Sequence, residues 1–163
     1  MTARLVLALG AEAKLDFVPG ATQFALPFTT LEDAIKVNNN IKTLERKYFG
    51  KDSQISVAVV GCGYAGVELA ATVAERLKDK GVVRAINAEN MICPTAPPGN
   101  REAALKVLSS RKVELLLGYL VRCIRRESDL ESSDTLTGEG EKQGNQAVHD
   151  SDKYVLESSD TLT

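Results

Sequence analysis

The stretch from Ile55 to Gly66 constrains this chain more than any other. Ile55-Ser56-Val57-Ala58-Val59-Val60 is a β-branched run that leads directly into Gly61-Cys62-Gly63-Tyr64-Ala65-Gly66. A run of this kind reads as a buried strand. The residues after it recur apolar at helical spacing, with Val67, Leu69, Ala70, Val73, Ala74 and Leu77 inward and Glu75, Arg76, Lys78 and Lys80 outward. A buried strand, a glycine-rich turn and an amphipathic helix in immediate succession leave few folds open.

The order continues in the same style. Gly81 stands where a helix C-terminal glycine belongs, and Val82–Ala88 reads as the next strand. Pro94-Thr95-Ala96-Pro97-Pro98-Gly99 reads as a rigid loop, after which Asn100 caps a helix reaching about Arg111. Val113–Leu117 and Leu120–Ile124 are two further strands broken by Gly118. Strand, helix, strand, helix, strand over 55–117 predicts an α/β fold with a parallel sheet and crossover helices. Upstream, Val6, Leu7 and Leu9 read as a short buried strand ended by Gly10. Thr29-Thr30-Leu31-Glu32 reads as a capping box. It opens a helix whose Leu31, Ala34, Ile35, Ile41, Leu44 and Tyr48 share one packed face.

Composition divides the chain in two. Residues 1–126 carry 18 Lys and Arg against 12 Asp and Glu, while residues 127–163 carry 2 against 10. The second part is rich in Ser, Asp, Glu, Gly and Thr and reads as a disordered acidic tail. Within it, Asp152–Glu157 alone has strand character, and LESSDTLT at 130–137 recurs letter for letter at 156–163. Three scattered cysteines without a CxxC pair suggest neither a disulfide framework nor a zinc site. No apolar run approaches the ~20 residues of a membrane span. The basic excess of the first part lacks interleaved aromatics, so a nucleic-acid groove is not expected. With His149 as the lone histidine, a Ser–His–Asp or Cys–His device is not expected either.

In its context GCGYAG fits the dinucleotide fingerprint. Gly61 permits the tight turn, Gly63 lets backbone approach a pyrophosphate, and Gly66 lets helix and strand pack closely. The N–H groups of Tyr64 and Ala65 at the helix start complete an anion site. NAD(P)H is therefore the expected ligand, against a glycine-rich turn without one. Cys62 inside the motif reads as a small packed side chain, with no second cysteine nearby for dithiol chemistry. Asn87, at the end of the second strand, either donates to the ribose 2′-hydroxyl or merely caps a turn, and Arg84 is a candidate phosphate partner. Glu68 is either a functional acid or one held at a helix start by the dipole. No metal site is expected.

The stretches LVLALGAEAKLDFVPGA, PFTTLEDAIKV and ISVAVVGCGYAGVELAATVAERL, with SSRKVELLLGYLV, resemble the two-dinucleotide flavoproteins. Within these the chain is most similar to type II (alternative) NAD(P)H–quinone oxidoreductases of the plant plastid and mitochondrial branch. The resemblance implies a Rossmann-like NAD(P)-binding domain over 53–126, incomplete and extended by a β-hairpin. Residues 1–28 would be a strand remnant of an FAD-binding domain plus linker, 29–52 a connecting helix, and 127–163 a low-complexity segment. It implies that Gly61, Gly63 and Gly66 cradle the NAD(P)H pyrophosphate, that Glu68 lies beside the hydride route, and that Gly10 and Ala11 contact FAD where the rest of that domain is present; Cys62, Tyr64, Ala65 and Asn87 are the further candidate nucleotide contacts. It also implies a quinone as acceptor, a chloroplast or mitochondrial setting, and peripheral membrane attachment only through a segment following residue 163. The first FAD fingerprint and the targeting segment would precede residue 1, so the chain alone would show no turnover. A non-catalytic nucleotide-binding module and a truncated product without activity are the alternatives.

Overall fold

The computed structural model describes residues 14–126 and the strand 154–160. The predicted strand at Val6–Leu9, Gly10, Ala11, His149 and the acidic tail over 127–153 lie outside the described residues.

Two short segments lead in, a 3-10 turn at Leu15–Phe17 and a one-turn helix α1 (Ala21–Phe24). They are followed by α2 (Leu31–Lys47), β1 (Ile55–Val60), α3 (Tyr64–Leu77), β2 (Gly81–Asn87), α4 (Pro98–Ser110), β3 (Glu114–Leu117) and β4 (Tyr119–Arg126). The strand β5 (Tyr154–Asp160) pairs antiparallel with β4, from Tyr119 opposite Asp160 to Arg126 opposite Tyr154. The expected parallel sheet is present, in the order β1-β2-β3. Ile55 stands opposite Gly81 and Val60 opposite Ile86, while Arg84 stands opposite Glu114. Both crossovers are helical, as a parallel sheet requires.

The central strand shows how the sheet acquires two cores. Val83 and Ala85 point to one face, into a cluster with Ile55, Val59, Val67, Ala70, Ala71, Val73, Ala74, Leu77 and Leu108. Ile86 points to the other, into a smaller cluster with Ala21, Val121 and Ile124. Period-two alternation in one strand therefore distributes apolar side chains to both faces. The second cluster also draws the lead-in segment onto β4, where the Ile124 N–H donates to the Pro19 carbonyl (2.9 Å).

Several element ends differ from the sequence reading, each for a local reason. The cap of α2 sits one residue later. Thr30 accepts from the Asp33 N–H (3.2 Å), and the Asp33 carboxylate accepts from the N–H groups of Thr29 (3.0 Å) and Thr30 (2.9 Å). Those bonds hold the Asp33 carboxyl below its ordinary pKa. Leu31 and Ile35 are exposed at 73% and 50%, whereas Ile41 is buried, so only the C-terminal half of the expected stripe packs. The left-handed residue ending α3 is Lys78 (φ 49°), and Gly81 is extended as the first residue of β2. A side chain at Gly81 would strike Leu77 Cδ1 at 2.6 Å, so a glycine there serves packing. Helix α4 opens at Pro98 with Pro97 as its N-cap, because proline already holds the φ of a first helical position. Asn100 lies inside it.

Candidate functional site

The fingerprint turn joins β1 to α3 and is built in two halves of opposite character. Gly61 holds φ +95°, a conformation that side chains resist, and its N–H donates to the Ile86 carbonyl (2.8 Å). Gly66 is the tight half. A Cβ there would lie 1.9 Å from the Gly61 carbonyl oxygen, so helix and turn meet backbone to backbone. Gly63 is the open half. It is extended (φ −72°, ψ −174°), and a Cβ on it would meet nothing within 4 Å.

Gly63 is also the N-cap of α3, and no side chain caps that helix end. The first N–H groups of any helix lack intrahelical acceptors, so Tyr64, Ala65 and Gly66 present donors beside open space. With the positive end of the helix dipole, this forms a cradle for an anion. Its room, donors and sign fit the diphosphate of a nicotinamide dinucleotide. Glu68 is exposed and is the fifth residue of α3, one position beyond the first turn. The dipole account of that carboxylate therefore loses its footing.

Cys62 is 1% exposed, a packed residue as expected. Its backbone is occupied within the protein, the N–H donating to Asn87 Oδ1 (3.0 Å) and the carbonyl accepting from the Cys93 N–H (2.8 Å). A second cysteine therefore does stand nearby, contrary to the sequence reading. Cys62 and Cys93 lie 31 positions apart, and the loop after β2 brings them together. Burial pushes the Cys62 thiol up to about 11, with the neighbouring Cys93 adding to the effect. Burial also raises Cys93, Arg101 opposes the rise, and Glu68 adds to it. Cys62 is thus a protonated, inert thiol at neutral pH. At pH 8 its alkylation by iodoacetamide is expected to run about a hundredfold slower than that of a free cysteine, from thiolate fraction alone. The rate should keep climbing tenfold per pH unit beyond pH 9. A plateau near pH 9, read by mass spectrometry of the Cys62 peptide, would contradict this.

Asn87 turns its side chain inward. Besides accepting from Cys62, its Nδ2 donates to the carbonyls of Met91 (2.9 Å) and Glu89 (3.2 Å). Arg84, the candidate phosphate partner, is three residues short of the strand end and is paired with Glu114 (2.8 Å) and Ser56 Oγ (3.2 Å). Sequence reasoning missed Arg101. From the first turn of α4 it donates to the carbonyls of Ile92 (3.1 Å), Pro94 (3.2 Å) and Ala96 (3.2 Å). The available signal was a cation at a helix start, where the dipole opposes it and a set of acceptors has to compensate. Among the described residues no cluster of His, Cys, Asp and Glu could hold a metal ion. No helix among them is long and apolar enough to cross a membrane.

The family model for "Pyridine nucleotide-disulphide oxidoreductase" matches residues 2–155. The chain belongs to this family. It is 65% identical over 130 residues to the alternative NAD(P)H-ubiquinone oxidoreductase C1, chloroplastic/mitochondrial, of Arabidopsis thaliana, covering 80% of this chain and 25% of that relative. It is 39% identical over 110 residues to the demethylphylloquinone reductase NdbB of Synechocystis, covering 68% of this chain and 26% of that one. The chain therefore spans about a quarter of the length of these curated relatives. Among solved structures, NDH2 from Plasmodium falciparum in complex with NADH superposes with a TM-score of 0.62. The identity there is 20%, over 70% of this chain and 27% of that one. The resemblance to type II NAD(P)H–quinone oxidoreductases and the Rossmann-like α/β class are thereby confirmed, the latter as the architecture this family shares.

Proposed function

We propose that this chain is the NAD(P)H-binding part of a flavin-dependent NAD(P)H:quinone oxidoreductase. The reaction in which it takes part is hydride transfer from the nicotinamide to FAD, with electrons then passing to a quinone. The observation that carries the reading is the asymmetric turn, closed at Gly66 and open at Gly63, with the uncapped start of α3 facing the opening. The names of the Arabidopsis and Synechocystis relatives support a quinone acceptor, and the first supports a chloroplast or mitochondrial setting.

In this reading Gly61 and Gly63 shape the diphosphate cradle, and Tyr64, Ala65 and Gly66 donate to it through backbone N–H groups. Cys62 lends shape alone, its N–H being engaged by Asn87. Glu68 lies beside the nicotinamide ribose as an exposed carboxylate. Gly10 and Ala11, outside the described residues, would contribute to the FAD side. Residues 53–126 form the nucleotide domain, with 29–52 as the connecting helix after a linker ending at 28. The direct test is titration of the chain with NADH and NADPH, followed by nucleotide fluorescence and calorimetry. Saturable one-to-one binding is expected, and its absence for both nucleotides would overturn the reading.

A further inference from the structure

We infer that Cys62 and Cys93 are a modification site, a thiol pair that a small hydroperoxide closes into a disulfide between the fingerprint turn and the loop after β2. The inference stands apart from the nucleotide reading. The Cys93 N–H donates to the Cys62 carbonyl (2.8 Å). A main-chain bond between two residues sets their Cα atoms roughly 5–6 Å apart. Disulfides span about 4.4–6.8 Å between Cα atoms, so the backbone already stands at bridging distance. Both side chains enter the same buried cluster, at 1% and 4% exposure, and therefore share one interior. Their nearness also registers in protonation, since Cys93 adds to the rise at Cys62. Cys123, the third buried cysteine, stands on β4 outside that cluster.

Both ends of the bridge are held in place. Beside Cys62, the Gly61 N–H donates to the Ile86 carbonyl (2.8 Å). Cys93 holds φ 43°, a left-handed conformation that a residue with a side chain keeps only where its surroundings impose it. Arg101 supplies that constraint by bonding the carbonyls of Ile92 and Pro94 on either side of it. The Cys93 carbonyl accepts in turn from the Ala96 N–H (2.9 Å). The two thiols therefore cannot be carried apart without breaking these bonds.

One hydroperoxide balances the chemistry. Arg101 opposes the rise caused by burial at Cys93, which makes Cys93 the first thiol to ionise. Its sulfur attacks the O–O bond and becomes a sulfenic acid, releasing water or an alcohol. The Cys62 sulfur then displaces that hydroxyl as water, and the S–S bond forms. Two electrons pass from the sulfurs to the O–O bond, and both thiol protons leave in the released molecules. The raised pKa values make the first step slow at neutral pH. Burial restricts the pair to oxidants of this small size and keeps protein disulfides from reaching it.

The test is to incubate the folded chain with excess hydrogen peroxide, block the remaining thiols with iodoacetamide in denaturant, and map the peptides by mass spectrometry. A Cys62–Cys93 linked pair is expected, two hydrogens lighter than the sum of its parts, with Cys123 recovered alkylated. The bridge closes a loop across 31 positions, so the oxidised chain should melt higher than the reduced one by about 5–10 °C. Reduction with dithiothreitol in denaturant, followed by refolding, should return the lower midpoint. Cys62→Ser and Cys93→Ser should each abolish the bridge and the shift, while Cys123→Ser keeps both. If neither of the first two variants folds, the peptide map of the unaltered chain decides alone. Thiols that all remain alkylatable, sulfinic acids without a bridge, a bridge to Cys123, or a bridged chain that melts no higher than the reduced one would overturn the inference.

Discussion

Gly66→Ala is expected to cost this chain at least about 3 kcal/mol, a large share of the ~5–15 kcal/mol that holds a typical domain together. The added methyl would sit 1.9 Å from the Gly61 carbonyl oxygen and 3.0 Å from its carbon. Neither neighbour yields easily. Gly61 is fixed by its left-handed φ and by its bond to Ile86, and the helix behind Gly66 is locked through Val67, Ala70 and Ala71. Relief requires α3 to lift from β1, which opens the main core along its length. Urea unfolding followed by circular dichroism measures the effect directly. A variant within about 1 kcal/mol of the original protein would show that the helix rides more loosely on the sheet than the geometry indicates.

Gly63→Val is expected to do the reverse, sparing the fold and abolishing the site. Gly63 is extended, a conformation valine adopts readily, and its Cβ would enter open space. Loss of a glycine N-cap costs helix stability by a modest amount, on the order of 1 kcal/mol or less. The isopropyl group would occupy the space in front of the Tyr64 and Ala65 N–H groups, where a diphosphate has to come within hydrogen-bond distance. Affinity for NADH and NADPH should drop by about a hundredfold or more, or some 3 kcal/mol. Undiminished binding in a folded Gly63→Val variant would mean that the nucleotide sits elsewhere. The two substitutions lie three residues apart in one motif. Their opposite outcomes separate the glycine that packs from the glycine that leaves room.

Much of this architecture was legible because the signals are local. A β-branched run before GCGYAG and apolar residues at helical spacing after it can be read one window at a time. Both glycine roles, the packing of Cys62 and the parallel order also follow from spacing alone. The errors share a different origin. Leu31 and Ile35 belong to the apolar stripe of α2, yet periodicity says which residues share a face and not how much of that face finds a neighbour. The capping box shifted by one residue because Thr29 and Thr30 are both competent caps, and only the placement of Asp33 chooses between them.

The sequence by itself determined the βαβαβ order, the position of the fingerprint, the tight turn at Gly61 and the close packing at Gly66, since each depends on residues within one turn or strand. Only the tertiary structure decided what Asn87, Cys93 and Arg101 do. Asn87 and Cys93 act on atoms 25 and 31 positions away, and Arg101 on a loop that takes its shape from Cys62 and β2. A side-chain amide, a main-chain N–H and a guanidinium carry no record in the chain of which distant carbonyl or N–H they will face. Strand register supplies that information, and register exists only once the sheet has formed.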